Sequence, residues 1–186
     1  MGRFQAGLRA GVAIALLLAG APARACEAWV ARLASARGVV EAQVDADGPW
    51  RAARAGDRFC SDVSVRVGAA SSAVLELANQ TVVRLSEQSA VSFRRGPDAA
   101  VSSVQVQHGR GHFLSRTPQR FNAATPYLNA AIDGTEFLLV AEAQADQITL
   151  FEGQATVAGR TLKPGQSLRV TRAGETELRL GAGSRA

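Results

Sequence analysis

Lysine is almost missing from this chain: of its 21 basic residues only Lys163 is not arginine. Histidine is confined to His108 and His112, cysteine to Cys26 and Cys60, and aromatic residues make up 5% of the sequence. Each scarcity narrows what the protein can do. The two histidines flank Gly109-Arg110-Gly111 in a stretch that holds no Cys, Asp or Glu. The third and fourth ligands of a metal centre are therefore missing, and the pair reads as part of a solvated turn. With no convincing base, a Ser-His-acid arrangement is not supported either. Asp57, Asp62 and Asp133 stand near turns, and their spacing fixes no two carboxylates on one face. A stacking platform for bases or sugars uses several rings; here Trp29 and Trp50 are the only tryptophans, and Trp50, placed after Gly48-Pro49, reads as a cap on the core. No catalytic residue, metal ligand or cofactor is assigned, and no enzyme is expected.

Charge of one sign is not concentrated anywhere. Apart from Arg94-Arg95 the basic residues are mostly scattered singly, whereas a nucleic-acid binder gathers them on one face; no nucleic-acid partner is expected. Part of the formal charge of +5 sits in the first 25 residues. Arg3 and Arg9 precede the apolar run Gly11–Gly20, and Ala23-Arg24-Ala25 follows it. A basic start, a short apolar centre and small residues before a cut describe a secretory leader, too short to span a bilayer, which takes about 20 residues. Without Arg3, Arg9 and Arg24 the balance falls to +2. The expected destination is periplasmic or secreted. Cleavage after Ala25 would expose Cys26, but Arg24 suits a lipoprotein signal poorly, so the unlipidated form is favoured over an anchor through Cys26. In an oxidising compartment Cys26 and Cys60 are expected to pair, a closure worth about 4 kcal/mol on the chain-entropy account.

Helical periodicity over ten or more residues is absent beyond the leader, which excludes alternating β-α units. Only Cys26–Ser35 suggests a helical turn or two. From Gly38 onward the pattern is short alternating runs. Val63-Ser64-Val65-Arg66-Val67 alternates cleanly. Ala73–Ala78 and Thr81–Ser86 flank Asn79-Gln80 as a hairpin; that pair is a weaker turn than Asn-Gly, which leaves room for a longer one. Phe137–Ala141 reads as a buried central strand, and Asp133-Gly134 and Glu152-Gly153 read as strand ends. Turn signals every eight to twelve residues predict an all-β fold, an antiparallel β-sandwich or β-roll with many short strands. The expected organisation is a leader over 1–25, an N-terminal segment with Cys26 over 26–37, a β domain over 38–172, and an edge strand at Leu178 and Leu180 with a flexible tail over 173–186.

The order of these pieces resembles the FecR domain, the periplasmic sensor-regulator domain of iron-uptake signalling. The resemblance rests on Gly38-Val39-Val40, then Trp50, then Gly56-Asp57, then the hairpin around Asn79-Gln80. It continues through Thr125-Pro126, Ile132-Asp133-Gly134-Thr135-Glu136-Phe137, Glu152-Gly153-Gln154-Ala155-Thr156-Val157 and Pro164-Gly165-Gln166, about Gly38 to Val170. In these positions Gly134 would supply a backbone angle denied to other residues, Phe137 would anchor the next strand in the core, and Thr135 and Glu136 could hydrogen-bond across the turn. The resemblance implies a regulatory binding module and carries over no catalytic residue. Two features depart from the family: Asn79-Gln80 stands where a glycine is usual, and the leader replaces a cytoplasmic segment, so no direct sigma-factor contact is expected. The partner implied is an envelope protein or polysaccharide; the alternative is a structural or assembly protein of the envelope.

Overall fold

Valine and leucine at every second position decide the architecture. In Val63–Val67 the three valines are buried while Ser64 and Arg66 face outward, so one face of the strand lies in the core, and each such side chain stabilises the fold by about 1.5–3 kcal/mol. The computed structural model describes residues 29–44, 46–60, 62–96 and 101–181. Among these there is no helix. Fourteen strands follow in order: β1 (Ala31–Arg37), β2 (Val40–Val44), β3 (Arg51–Ala52), β4 (Arg58–Phe59), β5 (Val63–Val67), β6 (Ser72–Leu77), β7 (Val82–Leu85), β8 (Ser89–Arg95), β9 (Val101–Ala124), β10 (Asn129–Ala141), β11 (Ala145–Val157), β12 (Arg160–Leu162), β13 (Gln166–Thr171) and β14 (Thr176–Leu180). They form one antiparallel sheet that is not closed into a barrel. Its main path runs β14-β13-β11-β10-β9-β7-β6-β1-β4, and a branch runs from β9 through β8, β5 and β2 to β3.

The branch point is β9. Its first part pairs with β8 as far as His108 opposite Ala90; from Gly109 it pairs with β10, and from Gly111 with β7 as well. Gly109 makes the change of partner possible. Its φ is +82°, and a Cβ there would lie 2.5 Å from Ser89 Cα and 2.6 Å from the Gln88 carbonyl. The next amide, Arg110 N–H, donates to Ser89 Oγ at 2.9 Å. The β1–β2 corner repeats the device: a Cβ on Gly38, at φ +74°, would collide with Ser71, and Val39 N–H donates to Ser71 Oγ at 2.9 Å. Strands that switch sheets at glycine bends are how orthogonal β-layers form their corners. Both branches feed one apolar cluster, from Leu33, Val65 and Leu75 through Phe93 and Phe113 to Ile148 and Leu168.

Several local expectations change. Residues 31–35, read as helical, belong to β1, which pairs with β6 and buries Ala31 and Leu33; the sheet therefore starts before Gly38. Gly109-Arg110-Gly111 is a bend inside one continuous strand, not a solvated turn. Asp133-Gly134 and Glu152-Gly153 do not end strands but lie within β10 and β11 where the register shifts. The β6–β7 turn is the longer kind: Leu77 N–H donates to the Thr81 carbonyl at 2.8 Å and Gln80 sits at φ +67°.

Candidate functional site

The register of β9, β10 and β11 assembles a two-rung patch on the solvent face of the sheet. Ala131 lies between Asn122 and Thr156, and Asp133 lies between Arg120 and Gln154. Ile132, one step along and pointing the other way, is buried. Ala131 is the shortest of the six outward side chains, so taller neighbours surround it, and the result is an open depression of about 500 Å³ lined by these residues. Arg120 Nε donates to Asp133 Oδ2 at 3.2 Å, with the two side chains 90% and 54% exposed. An ion pair so exposed contributes little to stability, and both partners can exchange to a ligand. Two amides, a hydroxyl, a guanidinium and a carboxylate around a small apolar floor suit an extended polar chain, peptide or saccharide.

A glycine contact bends the sheet beside this patch. Gly134 pairs with Gly153, and Gly153 has φ +99°. A Cβ on Gly153 would overlap Gly134 Cα and lie 2.7 Å from the Asp133 carbonyl; one on Gly134 would lie 2.7 Å from the Glu152 carbonyl. The positive φ therefore belongs to Gly153, and Gly134 is required for close approach rather than for an unusual angle of its own. Phe137 is 1% exposed and stacks on Phe113 with centroids 4.6 Å apart. Glu136 reaches the neighbouring strand: its Oε1 lies 3.1 Å from His112 Nε2 on β9.

That second contact was not visible in the sequence, because 24 residues separate its partners. His112 is 2% exposed and sits edge-on to Phe151 at 5.8 Å. His108 is exposed on the part of β9 that pairs with β8, so the two histidines share no site. No group of three His, Cys, Asp or Glu able to hold a metal occurs among the described residues. The three acids are dispersed as well. Asp57 Oδ2 accepts from Arg54 N–H at 2.7 Å, Asp62 Oδ1 accepts from Arg95 N–H at 2.8 Å, and Asp133 takes Arg120.

The other motif residues hold corners. Gly56, at φ +99°, donates its N–H to the Leu33 carbonyl at 2.8 Å. Trp50 is half-buried under Arg66, whose guanidinium lies 4.3 Å above the ring while its Nε donates to Glu41 at 2.7 Å. Thr125, Pro126 and Tyr127 form the β9–β10 turn. Thr125 Oγ1 and Tyr127 N–H both donate to buried Asp146 Oδ2 at 2.5 Å, and Tyr127 OH donates to the Ala143 carbonyl at 3.1 Å. This clamp ties the turn to the β10–β11 hairpin. Gly165, at φ +81°, turns the chain into β13 and donates to the Leu150 carbonyl at 2.8 Å. Cys60 is exposed beyond β4, and Cys26 lies outside the described residues, as do the leader and the tail over 182–186.

No curated protein matches the chain. Two crystal structures, each of a candidate anti-sigma factor from Parabacteroides distasonis, share its fold. One has TM-score 0.57 and 16% identity and the other TM-score 0.54 and 17% identity. The matches cover 65% and 64% of this chain and 61% and 60% of those chains, so it spans less than two thirds of their length. The family model described as FecR protein matches residues 63–156, a stretch that holds the branch strand, the glycine contact and all six residues of the outer patch, and the chain belongs to the FecR family.

Proposed function

We propose that this protein is an exported regulatory module that binds a segment of another envelope protein, or a surface polysaccharide, through the outer face of β9, β10 and β11. Membership of a family of sensor-regulators supports a role in signal sensing. The observation that carries the binding site is the depression over Ala131, where Arg120, Asn122, Asp133, Gln154 and Thr156 converge from three strands. Sites of this kind take ligands by a few oriented polar groups around an apolar floor. The leader supports export, with the β domain acting outside the cytoplasm and without direct contact to a sigma factor.

A photo-crosslinking residue placed at Ala131 or Gln154 in living cells tests this. It should trap a discrete envelope species that the same residue at Gln105, exposed on the other part of β9, does not trap. Ala131→Arg, which fills the depression, should remove the capture while the melting temperature changes little. Identical products from all three positions, together with no retention of envelope polysaccharide, would overturn the assignment.

A further inference from the structure

The sheet ends at β14, whose five residues are all exposed; Leu178 is 43% and Leu180 81% exposed. On its inner side β14 pairs with β13, Leu168 opposite Leu178 and Gln166 opposite Leu180. Among the described residues nothing pairs with its outer side. An open edge with exposed leucines is a template for another strand, and hydrogen bonding and charge together say which one.

Antiparallel pairs alternate between those that exchange hydrogen bonds and those that do not. Thr171 N–H donates to the Glu175 carbonyl and Gly181 N–H to the Gly165 carbonyl, each at 2.9 Å. Odd-numbered residues of β14 thus bond to β13. The N–H and C=O groups of Thr176, Leu178 and Leu180 point outward. A second β14 laid antiparallel about Leu178 would bond through these three residues, Leu178 to Leu178 and Thr176 to Leu180. In that register Glu177 of each copy stands opposite Arg179 of the other, at the non-bonded positions where facing side chains come closest. Within one chain these two residues already pair, with Arg179 Nε 3.0 Å from Glu177 Oε1. Charges on an edge ordinarily repel an incoming strand; here an acid and a base two residues apart are complementary to their own antiparallel copy. We infer that β14 is a self-association edge, and that two copies of this chain join their sheets through it about a two-fold axis at Leu178.

Sedimentation of the purified protein over a concentration series tests this. A dimer should appear at about micromolar concentrations or above, as suits a small interface. Glu177→Arg and Arg179→Glu, each of which sets like charges face to face twice, should weaken it about tenfold or more. The double exchange Glu177→Arg with Arg179→Glu should restore it to near the original affinity. Leu178→Pro removes an outward N–H and no bond to β13, a place where an edge strand tolerates proline, and should abolish the dimer. Amide exchange at Thr176, Leu178 and Leu180 should slow as concentration rises. A protein monomeric at hundreds of micromolar would overturn the inference. So would a dimer indifferent to the single reversals, or one that the double exchange fails to restore. Loss of fold is distinguished by thermal melting, and the double exchange separates charge pairing from damage to β14.

Discussion

Gly153 and Gly134 face each other across β10 and β11 with no room for a side chain on either. The obstacle is backbone against backbone, which no rotamer change relieves. We expect Gly153→Ala to destabilise the protein by about 3 kcal/mol or more, because a strained φ adds to the clash. Gly134→Ala, lacking the strained angle, should cost about 1–3 kcal/mol. Gly165→Ala is the control. Its φ is also positive, but an added Cβ would meet nothing within 4 Å, so about 1 kcal/mol is expected. Urea midpoints at unchanged m measure all three, and a Gly153→Ala protein no weaker than Gly165→Ala would contradict the geometry.

At Gln80 the opposite change should help. Its φ of +67° is a left-handed angle without a glycine to relax it, and the side chains flanking it already form the turn, with Thr81 N–H on Asn79 Oδ1 at 3.2 Å. Gln80→Gly should stabilise by about 0.5–1 kcal/mol. A lower melting temperature would show that the Gln80 side chain contributes more than its backbone angle costs.

How much of this was legible in the sequence depends on how local each feature is. The alternating runs of β5, β6 and β7 were readable because one buried face imposes period two on neighbouring residues. β1 was not. Its sequence, Ala-Arg-Leu-Ala-Ser-Ala-Arg, holds no β-branched residue, and its strand form comes from pairing with β6 forty residues on. The glycines stand out in the sequence but point to strand ends, since glycine usually interrupts a strand; only the facing strand reveals that they permit a close approach. The outer patch is a product of register, which brings Arg120, Asp133 and Gln154 side by side, and nothing within any one strand announces it.

Asp146 should be the most sensitive polar residue of the distal hairpins. It is 1% exposed and takes both Thr125 Oγ1 and Tyr127 N–H on one oxygen. Removing the acceptor leaves two donors in the interior, so Asp146→Ala should cost about 2–4 kcal/mol, and Thr125→Val, which removes one donor, about 1–2 kcal/mol. Amide exchange at Tyr127 should quicken in the first variant and change little in the second. Equal, small losses in both would mean that the turn is held by its Leu128 contacts instead.

The Trp50 stack should respond to acid. The hydrogen bond from Arg66 holds the Glu41 carboxyl below its ordinary 4.5. A depressed carboxylate supports the fold fully above the unfolded value and loses that support as pH falls through the folded one. With Trp29→Phe to isolate the signal, Trp50 fluorescence should change on acidification with a midpoint below 4.5. Glu41→Gln should flatten that transition. A midpoint above 4.5 would rule out Glu41 as the titrating group.

Cys60 offers the last test. Ala31 pairs with Phe59, which sets the chain entering β1 beside the residue that precedes Cys60, and no free cysteine occurs among the described residues. We propose that Cys26 and Cys60 are joined in the exported protein. The closed loop of some 35 residues would then supply about 4 kcal/mol, less any strain. Protein isolated without reductant and denatured should take up no thiol reagent, and both Cys60→Ser and added reductant should lower the melting temperature by the same amount. Two reactive thiols in the unreduced protein would sink the pairing. A reductant effect that persists in Cys60→Ser would do the same, because that variant keeps only Cys26, which has no second cysteine in the chain to pair with.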